Sequence, residues 1–192
     1  MSCASGKLVV VSGPSGVGKS TIVKEVLART AVAYSVSATT RQPRAGEVDG
    51  RDYFFVDRAR FEQMIRDGEL LEWAEVFGNL YGTPKRCVQE AVASGRTVLL
   101  EIDVQGGLQV AGTMPQAVFI LLLPPSDQEL RRRLAGRRSE DEDSLARRLD
   151  KARHEIDIAT SSGVYRHCVV NSGLQEAIEQ VVGIINQESC AR

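Results

Sequence analysis

Residues 9–21, "VVVSGPSGVGKST", separate Gly13 from Gly18 by four residues and follow the second glycine with Lys19 and Ser20. An apolar run precedes this loop, and "TIVKEVLART" (21–30) follows it with helical periodicity. A G-x-x-x-x-G-K-S loop between a buried strand and a helix start is a P-loop. Glycines let the backbone curl so that successive N–H groups point inward at phosphate oxygens, and the helix start adds its positive dipole end. The loop residues Gly13, Pro14, Ser15, Gly16, Val17 and Gly18, with Lys19, Ser20 and Thr21, therefore form a candidate segment for binding a nucleoside triphosphate. Lys19 is the cation for the β- and γ-phosphates and a candidate catalytic residue, and Ser20 offers an oxygen to Mg²⁺.

This loop alone leaves GTPases, ATPase motors and small-molecule kinases open. A GTPase requires a guanine-reading Asn-Lys-x-Asp run, which the chain lacks. At 192 residues, 43% of them hydrophobic, the chain suits one domain with a real core. Lys plus Arg is 24 against 25 Asp plus Glu, which argues against general nucleic-acid binding. No window approaches the ~18 apolar residues of a membrane span. The four cysteines lack paired spacing and there are only two histidines, a pattern expected of a reduced, cytoplasmic protein without a structural metal. No long apolar stripe is left over to specify a homo-oligomer, although one is compatible with the chain.

Buried strand patterns recur at "KLVVVS" (7–12), "RTVLLEID" (96–103), "AVFILLLPP" (117–125) and "HCVVN" (167–171), with "LQEAIEQVVGIIN" (174–186) as an amphipathic closing helix. Their alternation with helical segments predicts an α/β fold, a parallel P-loop-type sheet flanked by helices. Residues 35–82 change character, carrying short aromatic-bearing pieces and a helix near 58–67, and predict an inserted mixed β lobe. Thr83 and Pro84 have the form of an N-cap and first helical residue for a helix to about Ser94. Ser126 with Glu129, and Ser139 with Glu142, have capping-box spacing and predict two lid helices. Glu101 and Asp103 lie two apart at a strand exit, on one face. Either can hold Mg²⁺ through water or be an ordinary polar residue, and Asp103, beyond the strand end, is the better placed.

Arg41 and Arg44 flank Pro43 in a polar loop, and guanidinium forks suit a phosphate dianion, although a solvated pair is the plainer alternative. Tyr53 and Tyr81 follow turn-like stretches, where a phenol serves either packing or phosphate. Glu72 in "LLEWAE" is a carboxylate in an apolar strand, costly unless paired.

"SVSATTRQPRAGEVDGRDYFF" (35–55), "GELLEWAEVFGNLYGTP" (68–84), "GRR" with "ARRL" (136–149) and "VVN" (169–171) together resemble the guanylate kinase family, over about residues 7–187. The resemblance implies phosphoryl transfer from ATP to GMP, and to dGMP, with Mg²⁺ as cofactor, and so makes ATP the triphosphate of the loop at 13–21. It implies a core of about 7–34, 95–125 and 163–188, a GMP lobe of about 35–94 and a lid of about 126–162. Glu72 then receives the guanine N1–H and exocyclic amine, with Ser37 and Thr83 as the other base contacts. Arg41, Arg44, Tyr53 and Tyr81 hold the GMP phosphate, and Glu101 and Asp103 complete that pocket. Arg133, Arg137 and Arg148 match the lid arginines: Arg137 and Arg148 join Lys19 and Arg41 as catalytic cations, and Arg133 and Arg137 bind ATP together with Asn171 near the adenine. Arg131, Arg132, Arg138 and Arg147 fall outside that pattern, as solvated residues or partners of "EDED". The chain departs from the family at Arg138, for a glycine, at Arg166, for an Asp, and at Ser172, where Asp often follows the Asn. Two rival functions are a ribose-bisphosphate kinase, which should lack the lobe, and a non-catalytic interaction module, which should have a degraded P-loop.

Overall fold

The computed structural model describes residues 6–76, 78–135 and 142–190. The chain begins with β1 (Leu8–Ser12), α1 (Lys19–Arg29) and β2 (Ala33–Tyr34). The inserted region follows: β3 (Ala38–Thr39), β4 (Phe54–Phe55), α2 (Arg58–Arg66), β5 (Leu70–Val76), β6 (Asn79–Pro84) and α3 (Lys85–Ala93). Return to the first sheet comes with β7 (Val98–Glu101), α4 (Val104–Thr113) and β8 (Val118–Leu123). Then come α5 (Asp127–Ala135), α6 (Glu142–Ser161), β9 (His167–Val170) and α7 (Leu174–Cys190).

β1 is buried at every residue, as a β-branched run without polar alternation must be when helices cover both sheet faces. It is the middle strand of a five-stranded parallel sheet in the order β2-β7-β1-β8-β9. Chain order reverses direction around β1, so a crevice opens beyond the carboxyl ends of β1 and β7. Register fixes what meets there: Val11 pairs with Glu101, which sets the end of β7 beside the start of the P-loop. One sheet face packs Val11, Ile120 and Leu122 against Ile22 and Val26 of α1 and Ile178 and Val181 of α7. The other packs Val10, Leu100 and Phe119 against Val88 of α3, Val104 of α4 and Ala159 of α6.

The insertion is a four-stranded mixed sheet, β4-β3-β6-β5, with a core of its own in Ala38, Phe61, Met64 and Leu80. The fold class thus agrees with the reading of the sequence. Local chemistry differs at two helix starts. Pro84, not Thr83, is the N-cap of α3; Thr83 stays in β6, fully buried, because its hydroxyl is engaged by Glu72. At α5 only half of the capping box forms. The Glu129 N–H donates to Ser126 Oγ at 3.2 Å, while the Glu129 carboxylate turns to Arg132 and Arg133. Ser139 lies outside the described residues.

Candidate active site

Lys19 is the first residue of α1, and Gly18 before it has φ 101°. A Cβ there would be strained, and would also stand 2.7 Å from Asn171 Nδ2, so this position requires glycine. Lys19 Nζ donates to the carbonyls of Gly13 at 2.6 Å and Pro14 at 3.0 Å, which holds the cation over the loop. Behind the loop, Asn171 Nδ2 donates to Val17 O at 2.8 Å. Arg133 from α5 joins this contact, reaching Val17 O at 3.3 Å and Asn171 O at 3.0 Å. Its Nε donates to Glu129, whose carboxyl is pulled down to about 2 by Arg132 and Arg133. Two predicted ATP-site residues from distant segments, Arg133 and Asn171, therefore meet at one P-loop carbonyl.

Ser20 donates to Glu101 Oε1 at 2.5 Å. Asp103 Oδ1 instead accepts from Gly106 N at 2.8 Å, as the N-cap of α4. A hydroxyl and a carboxylate oxygen so close form a hard-oxygen donor set of the kind magnesium takes. Among the described residues, no group of three or more His, Cys, Asp or Glu side chains could hold a metal.

A cleft of about 280 Å³ runs from Ser20 into the mixed sheet and gathers Ser37, Tyr53, Glu72, Tyr81, Glu101 and Asp103. Tyr34 and Asp52, which sequence reasoning did not single out, line it too. A hollow of about 300 Å³ beside Arg166 and His167, and one of about 700 Å³ beside Arg60 and Cys87, bring together no comparable set.

At the closed end of the cleft, Glu72 is 6% exposed. The Thr83 hydroxyl donates to its Oε1 at 2.6 Å. Burial pushes the Glu72 carboxyl up to about 7, the Thr83 bond opposes this, and Asp103 adds to it. Oε2 faces α4, where a Cβ on Gly106 would stand 3.0 Å away. A buried carboxylate is costly without donors, and the Thr83 hydroxyl supplies one of them at Oε1.

At the other end, the Tyr53 and Tyr81 rings meet edge to face with centroids 6.0 Å apart. Arg41 lies over Tyr53 at 5.3 Å, and its Nη2 donates to both oxygens of Glu47, at 2.8 and 3.0 Å. The Arg44 side chain is exposed, while its backbone N–H also donates to Glu47, at 2.7 Å. Glu47, an acid in an arginine-bearing loop, was visible in the sequence but not singled out. Another overlooked carboxylate is Glu155 of α6, 6% exposed, which faces the P-loop's Ser15 N–H and has Lys151 Nζ at 3.8 Å. Arg148 is half-buried on α6, and Arg137 lies outside the described residues. Arg132 is 76% exposed and pairs with Glu129 of its own helix.

A family model described as Guanylate kinase matches residues 5–188. The chain belongs to the guanylate kinase family. It is 49% identical over 188 residues to a guanylate kinase of Shouchella clausii, covering 97% of this chain and 90% of that one. It is 48% identical over 183 residues to one of Thermus thermophilus, covering 95% and 82%. The crystal structure of a guanylate kinase from Anaplasma phagocytophilum superposes with a TM-score of 0.77 at 35% identity, over 98% of this chain and 88% of that one. A gluconokinase from Sinorhizobium meliloti shares the fold alone, with a TM-score of 0.53 at 14% identity over 97% and 94%. As a member of the guanylate kinase family the chain is an enzyme, a nucleotide kinase. No helix among the described residues is long and apolar enough to cross a membrane.

Proposed function

We propose that the chain transfers the γ-phosphoryl group of ATP to the phosphate of GMP or dGMP, giving ADP and GDP or dGDP, for purine nucleotide metabolism in the cytoplasm. The observation that carries this reading is the buried Glu72 in one cleft with Ser20 of the P-loop. Guanine offers N1–H and a 2-amino group to a carboxylate, whereas adenine has a lone pair at N1 and no 2-amino group. AMP would bring no N–H group to Glu72 Oε2 and leave the buried carboxylate with the Thr83 bond alone, which supports strong discrimination by a site of this kind.

The acceptor phosphate is already anionic, so the reaction needs no general base. A GMP phosphate oxygen attacks the γ-phosphorus in line, and the bond to the β–γ bridging oxygen breaks. The chain supplies alignment, cations and exclusion of water. The P-loop and Lys19 hold the triphosphate. Arg41, Arg44, Tyr53 and Tyr81 hold the acceptor phosphate, and Ser37 and Thr83 support base recognition. Arg133, Arg137 and Arg148 come from the proposed lid, about 126–162, which closes over a lobe of about 35–94. Ser20 and Glu101 would hold Mg²⁺ with the phosphates, and the second oxygen of Asp103 would order one of its waters. The ion, when bound, neutralises triphosphate charge.

A coupled ADP-release assay with GMP, AMP and a ribose bisphosphate tests the reading. GMP should be the strongly preferred acceptor; equal rates with AMP would remove Glu72 from base recognition. The inserted lobe and the intact P-loop lysine favour neither a ribose-bisphosphate kinase nor a non-catalytic module.

A further inference from the structure

β5 carries Glu72 through an irregularity in its pairing. Leu70 pairs with Pro84 and Trp73 with Gly82, so three steps along β5 match two along β6. The extra residue is a β-bulge at Leu71–Glu72, a device that re-aims a side chain and leaves the strand locally short of ladder bonds. β5 is also an edge strand of its sheet. At the first paired residue after the bulge, α4 supplies what a neighbouring strand would have supplied. The Trp73 N–H donates to Gln109 Oε1 at 3.1 Å, and Gln109 Nε2 donates to Trp73 O at 3.0 Å. One turn earlier on α4, Gly106 leaves room for Glu72 Oε2. Residues 106 and 109 lie three apart, hence on one face of the helix.

We infer that Gln109 is a positioning residue for base selection: its side-chain amide locks the bulge that aims Glu72. This rests on the proposal that Glu72 reads guanine. Gln109 acts on the backbone next to Glu72 and does not line the cleft. Its loss should therefore blur recognition of the 2-amino group while leaving the ATP side untouched. A misplacement near 1 Å is enough to cost a large part of a directional contact.

Steady-state kinetics of the full chain and of Gln109→Leu, with GMP and IMP as acceptors, test the inference, because IMP keeps N1–H and lacks the 2-amino group. Expected for Gln109→Leu are a GMP KM raised about tenfold, a GMP-over-IMP preference reduced by a similar factor, and an ATP KM within about twofold. Unchanged preference with only a lowered melting temperature would overturn the inference and make Gln109 a structural clasp. Should Gln109→Leu not fold, Gln109→Glu, which keeps an acceptor for the Trp73 N–H, carries the same test by the same ratio. Glu72→Gln separates the two layers. If the unaltered chain shows no preference for GMP, or Glu72→Gln retains it, both readings fall. If Glu72→Gln loses it and the Gln109 variants keep it, only this inference falls.

Discussion

Thr83 donates to Oε1 of Glu72 at 2.6 Å, across neighbouring strands of the lobe, and so leaves Oε2 as the less committed oxygen of a buried carboxylate. Thr83→Val keeps the shape and removes the donor, leaving a buried acceptor short of a partner. A loss of about 1–3 kcal/mol in stability is expected by urea unfolding, together with a raised GMP KM.

The same carboxylate sets a pH dependence. Glu72 stands at about 7 in the folded chain against an ordinary 4.5. Because its folded value is raised, its contribution to stability is fully present below pH 4.5 and is lost as pH rises through about 7. A shift of this size is worth on the order of 3 kcal/mol. Thermal melts of the ligand-free chain across that window should therefore decline more steeply than those of Glu72→Gln. GMP binding runs the other way, since guanine's N–H groups favour the ionised carboxylate. The GMP KM should rise as pH falls below about 7, and Glu72→Gln should flatten that rise.

Lys19→Ala should reduce turnover by at least about 10²-fold while GMP binding, measured by calorimetry, stays largely intact. Near-normal turnover would remove Lys19 from phosphate transfer.

Gly107 on α4 tests close packing under the P-loop. A Cβ there would overlap the Tyr165 Oη and stand 2.8 Å from Ser12 Oγ. Gly107→Ala should cost about 2 kcal/mol or more by denaturant titration. Tyr165→Phe in the same chain should recover part of that loss, a non-additivity expected only of residues in contact.

The P-loop and the buried strands β1, β7 and β8 were legible because each is local: fixed glycine spacing in one case, an unbroken apolar run in the other. β9, also read as buried, is instead an edge strand in which Val169 is buried while Cys168 and Val170 are exposed. The lobe was legible as a mixed β insertion, with β5 and β6 in its alternating pieces, but the shortest strands were not. β2, β3 and β4 are two residues each, too short for a period to show, and owe their form to partners such as Leu99, Tyr81 and Ser37. Thr83 was open to two roles because a Thr-Pro pair announces a helix, and only the cross-strand position of Glu72 puts its hydroxyl elsewhere. The Ser20–Glu101 bond needed the register of β1 against β7, and Gln109 had no signal at all, since an exposed helical glutamine is ordinary until a bulged edge strand lies beside it.

The lobe's apolar cluster of Ala38, Phe61, Met64 and Leu80 shares no residue with the two clusters of the parallel sheet. Helices α5 and α6 add a further cluster of Leu130, Leu134, Leu149 and Ala152, so separate clusters in one short chain divide the mutational load. A change at Phe61 or Met64 should loosen the lobe's side of the cleft, while the strands that carry the P-loop keep their own packing. A substitution in the lobe's cluster can therefore reshape its side of the cleft without first disturbing the packing around β1.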